Sequence, residues 1–483
     1  MALVVGVDVA TAEVRAMAAD AHGRERALAR ARLPPPSTPR PGWVEQDGRA
    51  WWPAVAGALC DLTARLGAER ADVVAISVCS TSGTVVALDR RGDPVGPALM
   101  YSDQRAAAEA ARAQEAAAAR WNRLGLRVQP TFGLPKWAWL LGPGGAGGDF
   151  SRLAHVSDVV VGHLLGRPAP SDWSHALKSG YDPEREEWAS EAMPALGIPL
   201  DALPTVRRPT EPAGTLSRQA AEATGLPESC EVRLGMTDAC ASQLAAGAST
   251  PGRFVSVLGS TLVLKGASHD LVADPHGSVY SHRHPDGWWL PGGASSTGAA
   301  ALVAGFPDRN LSRLDELAAA HGPARGVVYP LVGRGERFPF VAPDAEAFHA
   351  GDLADEVERY RATLEGVAFV ERLGVERLAA LGAAAEPPVA VAGGGSASRV
   401  WNRIRASVLG ASLLETPAAT TALGACILAA AGTLHRDLAT ATAAMAAAGD
   451  RVEPDPHEQD ALLGSYERFV AALAARGWLA TAR

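Results

Sequence analysis

Cysteine is scarce in this chain. Its 483 residues hold five, Cys60, Cys79, Cys230, Cys240 and Cys426, with no Cys-x-x-Cys pair and an odd total. That argues against a disulfide framework and fits reduced, mostly buried thiols in a cytoplasmic protein. Histidine and cysteine nowhere stand at zinc-ligand spacing. No uninterrupted apolar run reaches the roughly 18 residues of a membrane span, so no membrane partner is expected. The N-terminus lacks a basic start and Asp8 interrupts its apolar run, which argues against a signal peptide. Excess positive charge is also missing. Lys and Arg number 45 against 53 Asp and Glu, a net charge of -8, so no nucleic-acid footprint appears. No Gly-Lys-Ser or Gly-Lys-Thr follows a glycine-rich turn, which excludes a Walker-type phosphate loop. Ser260 and Ser296 lack the nearby histidine signature of a hydrolase, so a serine nucleophile ranks low.

What remains is ordinary and globular: 47% hydrophobic and 20% charged residues, with length for two or three domains. The stretch Gly235 to Gly266 organises the rest. Asp238 stands at the mouth of an alanine-rich helix, where unpaired N–H groups favour a negative charge. Pro251-Gly252 turns the chain. Phe254 to Leu258 and Leu262 to Gly266 read as strands around a Gly259-Ser260-Thr261 turn, whose N–H and hydroxyl groups can wrap phosphate oxygens. A proton acceptor and a phosphate cradle so placed point to phosphoryl transfer. The N-terminus repeats the pattern. Leu3 to Val9 is a strand ending near Asp8, Ala10 to Glu13 turns, and Val14 to Met17 runs back. Two strand–turn–strand units half a chain apart suggest two similarly built α/β halves facing across a cleft.

Other elements are coarser. Helices are expected near Arg49–Leu66, Ala106–Trp121, Ala354–Ala380 and Thr421–Ala431, with further helix from about Asp437. Gly142 to Gly148 reads as a surface loop. Ser171 to Lys178 is a compact polar loop of the kind that lines a cleft.

Several side chains admit two readings. Asp8, with Thr11 close behind, suits a magnesium or phosphate-water ligand, or a plain strand-end turn. Asp238 suits a general base that takes a proton from an alcohol, or a helix N-cap, and one residue can serve as both. Gly393-Gly394-Gly395-Ser396 lets backbone approach a flat or phosphorylated ligand, or is only a strand-to-helix turn. Ser82, Tyr101, Asp103 and Arg105 are placed to hydrogen-bond a polyol, yet Asp103 and Arg105 also suit a structural ion pair.

Read in order, these motifs resemble the FGGY carbohydrate kinases, of the actin-like ATPase fold. Gly6 to Thr11 with Arg15 resembles the first phosphate motif, and Pro41 to Asp47 with Trp51-Trp52 the family's Gly-Trp-x-Glu-Gln-Asp segment. Gly235 to Gly247 resembles the segment bearing the catalytic aspartate, and Gly259-Ser260-Thr261 the second phosphate motif. Gly393 to Ser396 with Trp401-Asn402, and Ala422 to Ala425, resemble the adenosine motif. Ser80 to Val85, His175 to Tyr181 and Arg334 to Pro339 are similar to the D-ribulose kinases of cyanobacteria and plants, often labelled xylulose kinase-like.

The resemblance implies ATP and Mg²⁺, and phosphorylation of the terminal hydroxyl of a ketopentose, D-ribulose first and D-xylulose or another polyol next. It implies Asp238 as base, Asp8 at the metal and substrate, and Ser82 at the sugar, where Tyr101 and Asp103 are also expected. Thr11, Gly259, Ser260 and Thr261 are implied at the phosphates, with Gly394, Gly395 and Asn402 at the nucleotide. Two domains are expected, a sugar-binding 1–245 and a nucleotide-binding 246–436, with helices of 437–483 packing back on either half. The partner is a small sugar, and the state a monomer or homodimer. Ala10 stands where the family usually has glycine, which would strain a turn needing positive φ. Ala12 replaces a usual serine and His175 a common asparagine. These departures keep open a sugar-binding regulator without catalysis, and an actin-like ATPase or chaperone is a third class.

Overall fold

The computed structural model describes residues 1–145, 150–353 and 355–479. Residues 146–148 of the expected glycine-rich loop and Ala354, the expected start of the long helix, lie outside the described residues. The chain divides into two units. One comprises residues 1–245, 282–287 and 419–446; the other comprises 246–281, 288–418 and 447–483.

The first unit is built on a six-stranded sheet. Its strands are β1 (Leu3–Val9), β2 (Glu13–Ala19), β3 (Glu25–Arg32), β4 (Val73–Ser80), β5 (Pro212–Thr215) and β6 (Glu231–Thr237), in the order β5-β6-β4-β1-β2-β3. The hairpins β1–β2 and β2–β3 are antiparallel, whereas β1, β4 and β6 run parallel. Parallel strands covered on both faces read as continuous apolar runs, and every residue of β1 is buried. Val5, Val7, Val55, Leu59, Ile76 and Val78 share one core beneath them. Helix Thr421–Ala430 lies against the sheet so closely that a Cβ on Gly6 would come within 2.2 Å of the Ala422 carbonyl oxygen. Residues 422–430 are buried throughout.

The second unit repeats the plan. Its sheet includes β7 (Phe254–Leu258), β8 (Leu262–Gly266), β9 (Trp289–Ala294), β10 (Val389–Ala392), β11 (Leu413–Glu415) and β12 (Arg451–Val452), six of seven strands, with β9-β8-β7-β10-β11-β12 in sequence across the sheet. Here β7–β8 and β8–β9 are antiparallel, and β7, β10 and β11 are parallel. Helix Glu356–Ala380 is capped by Asp355, whose side chain accepts from the Glu358 N–H.

Three local expectations shift. The helix expected over Ala106–Trp121 is two, Ala107–Ala116 and Ala118–Leu124, broken at Ala117 where φ is -133°. Residues 419–436, expected in the second domain, belong to the first unit. The C-terminal region divides: 437–446 joins the first unit and 447–483 the second. Amphipathic helices advertise an apolar face in sequence, but not the sheet that covers it.

Candidate active site

The parallel register of the first sheet aligns three strand ends. Asp8 pairs with Cys79 and Val9 with Ser80 across β1–β4, and Ser80 pairs with Thr237 across β4–β6. Neighbouring strands lie about 4.8 Å apart. The chain therefore delivers Asp8, the Ser80–Ser82 turn and Asp238 side by side at the carboxyl ends of parallel strands, the end where open α/β sheets bind ligands. Thr237 is the last residue of β6 and Asp238 the first of helix Asp238–Ala245. The ladder between β6 and β4 is irregular between Leu234 and Thr237. A Cβ at Gly235 would meet the Val78 carbonyl oxygen at 2.0 Å, so only glycine fits that close approach.

Asp8 is buried and asymmetrically held. Its Oδ2 accepts from Arg15 Nη1 at 3.1 Å, while Oδ1 is buried with no hydrogen-bond partner among the described residues. Burial pushes the Asp8 carboxyl up to about 7; Arg15 opposes this, and the nearby Asp238 and Glu13 charges add to it. A buried carboxylate with one uncommitted oxygen, next to a second acid, has the donor chemistry for a hard cation. Thr11 sits on the half-buried turn closed by Ala10 N–H to the Glu13 carbonyl, 3.1 Å. Gln46 braces that turn from outside, donating to the Thr11 carbonyl at 3.0 Å and the Pro34 carbonyl at 2.7 Å. The strain anticipated at Ala10 does not arise: among the described residues the non-glycine positions of positive φ are Glu186, Thr210 and Asp308.

The Ser82 hydroxyl is buried and without a partner among the described residues, and Tyr101 is 49% exposed. Asp103 corrects its expected role at the sugar. It is fully buried, accepting from the Val44 N–H at 2.6 Å and from Arg105 through both oxygens. Arg105 also binds Glu45 at 2.7 Å and stacks over Trp43 and Trp139. The structural ion pair is the reading the geometry supports, and the Gly42–Asp47 segment is its scaffold. Lys136 has no place in the sequence reading. Wholly buried, it donates to the carbonyls of Gly83 (3.0 Å), Met100 (2.6 Å) and Thr131 (2.9 Å), joining the segments that carry Ser82 and Tyr101. Burial pushes its ammonium down to about 7 against the pull of Asp103. Its one sequence signal is a lone lysine among apolar residues of helix Gly133–Leu141.

In the second unit, the Gly259–Thr261 turn is closed by Gly259 N–H to the Thr261 carbonyl at 3.0 Å, with Ser260 exposed. The glycine triplet crosses the end of β7. A Cβ on Gly393 (φ +87°) would lie 2.6 Å from the Leu258 carbonyl oxygen, and one on Gly395 2.6 Å from Leu258 Cγ, whereas Gly394 has nothing within 4 Å. Asn402 is again a correction. It is fully buried, and its amide donates to the Ser396 carbonyl and Glu415, both at 2.7 Å, while its oxygen accepts from Arg405. No donor of its side chain is left for a nucleotide; it holds the triplet's end in place.

Among the described residues no group of three or more acidic, His or Cys side chains forms a metal cluster, and no helix is long and apolar enough to cross a membrane.

Known proteins match this chain along its length. The FGGY family of carbohydrate kinases, N-terminal domain, matches residues 3–245, and the C-terminal domain of the same family matches residues 254–433. A xylulose kinase of Streptomyces rubiginosus is 28% identical over 473 residues, 96% of this chain and 95% of that protein. A xylulose kinase of Klebsiella pneumoniae is 26% identical over 420 residues, 85% of each. The crystal structure of xylulose kinase from Rhodospirillum rubrum superimposes with a TM-score of 0.87 at 28% identity, covering 98% of both chains. With both family domains matched in order, the chain belongs to the FGGY family of carbohydrate kinases and is an ATP-dependent sugar kinase.

Proposed function

We propose that this kinase phosphorylates the terminal hydroxyl of a ketopentose, D-ribulose, with Asp238 as general base. The observation that carries the reading is the register placing Asp8, Ser80–Ser82 and Asp238 at adjacent parallel strand ends. An alcohol is a poor nucleophile until a positioned acceptor takes its proton as the phosphoryl group arrives. Asp238 is half-buried at the start of its helix, open enough to reach a substrate hydroxyl. The uncommitted Ser82 hydroxyl is assigned to the sugar, with Tyr101 at the rim. Thr11 and Gly259–Thr261 are assigned to the phosphates, and the Gly394–Gly395 backbone to the adenosine.

The free Oδ1 of Asp8 fits Mg²⁺. Bound with ATP, that ion would neutralise phosphate charge. Arg15 orients the Asp8 carboxylate toward the role.

D-Xylulose is the second reading, favoured by the xylulose kinases among the relatives. Coupled ADP release over D-ribulose, D-xylulose and a polyol panel separates the two. Higher kcat/KM for D-ribulose supports the first reading, and higher kcat/KM for D-xylulose replaces it. ADP production that no sugar stimulates would sink both. Domain 1–245 is proposed to bind sugar and 246–436 nucleotide, in a cytoplasmic enzyme.

A further inference from the structure

The segment Ser171–Lys178 carries a closed chain of buried hydrogen bonds. His175 Nε2 lies 2.9 Å from Ser80 Oγ, at the end of β4. On its other side, His175 Nδ1 lies 2.5 Å from Asp172 Oδ2. Asp172 Oδ1 accepts from the Ser174 hydroxyl at 2.5 Å and from the N–H groups of Ser174 and His175 at 2.9 and 3.1 Å. Ser174 Oγ in turn accepts from the Thr237 N–H at 3.0 Å. Thr237 then pairs with Ser80 in the sheet, which closes the ring. Ser80, Asp172, Ser174, His175 and Thr237 are all buried.

The Ser80–His175–Asp172 spacing is that of an activated serine. Ser80 is fully buried, however, and no substrate can reach its hydroxyl. Position decides its use instead. Thr237 follows the irregular stretch where β6 leaves the ladder, so the sheet alone fixes it poorly. The Thr237 N–H, one residue before Asp238, donates to the Ser174 hydroxyl as a second tether beside its pairing with Ser80.

We propose that the Asp172–Ser174–His175 ring is a positioning device for phosphoryl transfer, clamping the Ser80–Ser82 turn and the Thr237–Asp238 junction at one spacing. It rests on the assignment of Asp238 as base. The ring has a reason to be ionic: Nδ1 faces a carboxylate and Nε2 faces the Ser80 hydroxyl and carbonyl, so a doubly protonated ring satisfies both. Burial disfavours that charge, and Asp172 outweighs it, holding His175 above its ordinary range. His155 stands beside it, ring centroids 5.7 Å apart, with Asp158 on its Nδ1 and the Ser179 hydroxyl on its Nε2. Reacting groups displaced by about 1 Å lose on the order of 10²-fold in rate.

The test is steady-state kinetics on Ser174→Ala, which removes one hydroxyl, on His175→Asn, and on the double variant, with melting curves to show that each is folded. Ser80→Ala substitutes if His175→Asn does not fold. A positioning ring predicts kcat lowered about tenfold or more in each single variant, with KM for ATP within about twofold. The double variant should be no slower than the slower single one, because either change opens the same ring. Folded variants with kcat within about twofold of wild type overturn the proposal. So do losses that multiply in the double variant, or losses matched by a rise in KM for ATP. Asp238→Asn is run alongside: if it keeps normal turnover, the base assignment fails first; if it is inactive while the ring variants are normal, only the positioning device fails.

Discussion

Both units build a sheet on one plan, an antiparallel trio followed by two strands parallel to its first member. In the first unit this is β3-β2-β1-β4-β6, and in the second β9-β8-β7-β10-β11. The strand ends differ. The first sheet ends in acids and hydroxyls: Asp8 in β1, Ser80 in β4, Thr237 in β6 and Asp238 just after it. The second ends in a Gly-Ser-Thr turn after β7 and three glycines after β10. One plan thus serves two chemistries. Carboxylates suit a proton and a cation; bare backbone suits the close approach of a large anionic or flat ligand.

If the first sheet holds the reacting groups, Asp238→Asn should lower kcat by roughly 10²–10⁴-fold with nucleotide affinity retained, measured by turnover and ADP titration. Next in size is the pH dependence of Asp8. Its folded carboxyl sits at about 7 against 3.8 for an aspartate in water, so between those values the folded chain keeps a proton that the unfolded chain has shed. Its contribution to stability is therefore complete below pH 4 and is lost as pH rises through 7, by on the order of 4 kcal/mol at most. The difference in urea midpoint between wild type and Asp8→Asn should widen in the variant's favour from pH 5 to pH 8 without metal. A constant difference would remove the titration from Asp8.

The glycine side of the comparison gives the smaller effects. Gly393→Ala combines positive φ with a Cβ 2.6 Å from the Leu258 carbonyl oxygen, and should cost roughly 2–3 kcal/mol by denaturant unfolding. Gly394→Ala, with open space at its Cβ, should stay within about 0.5 kcal/mol while KM for ATP rises. Equal losses at both positions would mean that the triplet is only a turn.

Much of this plan is legible in the sequence because it is local. Apolar runs mark β1, β4 and β7, and the repeat of strand, turn and strand gives two like halves of the actin-like type, as the family match and the sheets agree. What sequence does not carry is whether a polar group is already satisfied. Asp103 and Asn402 have the residue types of ligand contacts, yet both oxygens of Asp103 and both donors of the Asn402 amide are already engaged, by Arg105, Val44, Ser396 and Glu415. Lys136 is the reverse, a charge hidden in an apolar helix, two of whose three carbonyl partners, Gly83 and Met100, lie far away in the chain. Such partners are set by tertiary packing, not by spacing along the chain.

The buried helix Thr421–Ala430 has a consequence for biosynthesis. Residues 1–245 leave the ribosome long before the segment that seals the face of β1 beside Gly6. For that interval the nascent first unit has an open slot, and a fragment ending at residue 245 should bind a hydrophobic dye until a peptide spanning 419–446 is supplied. Translation through residue 446 is thus required before the first unit can close.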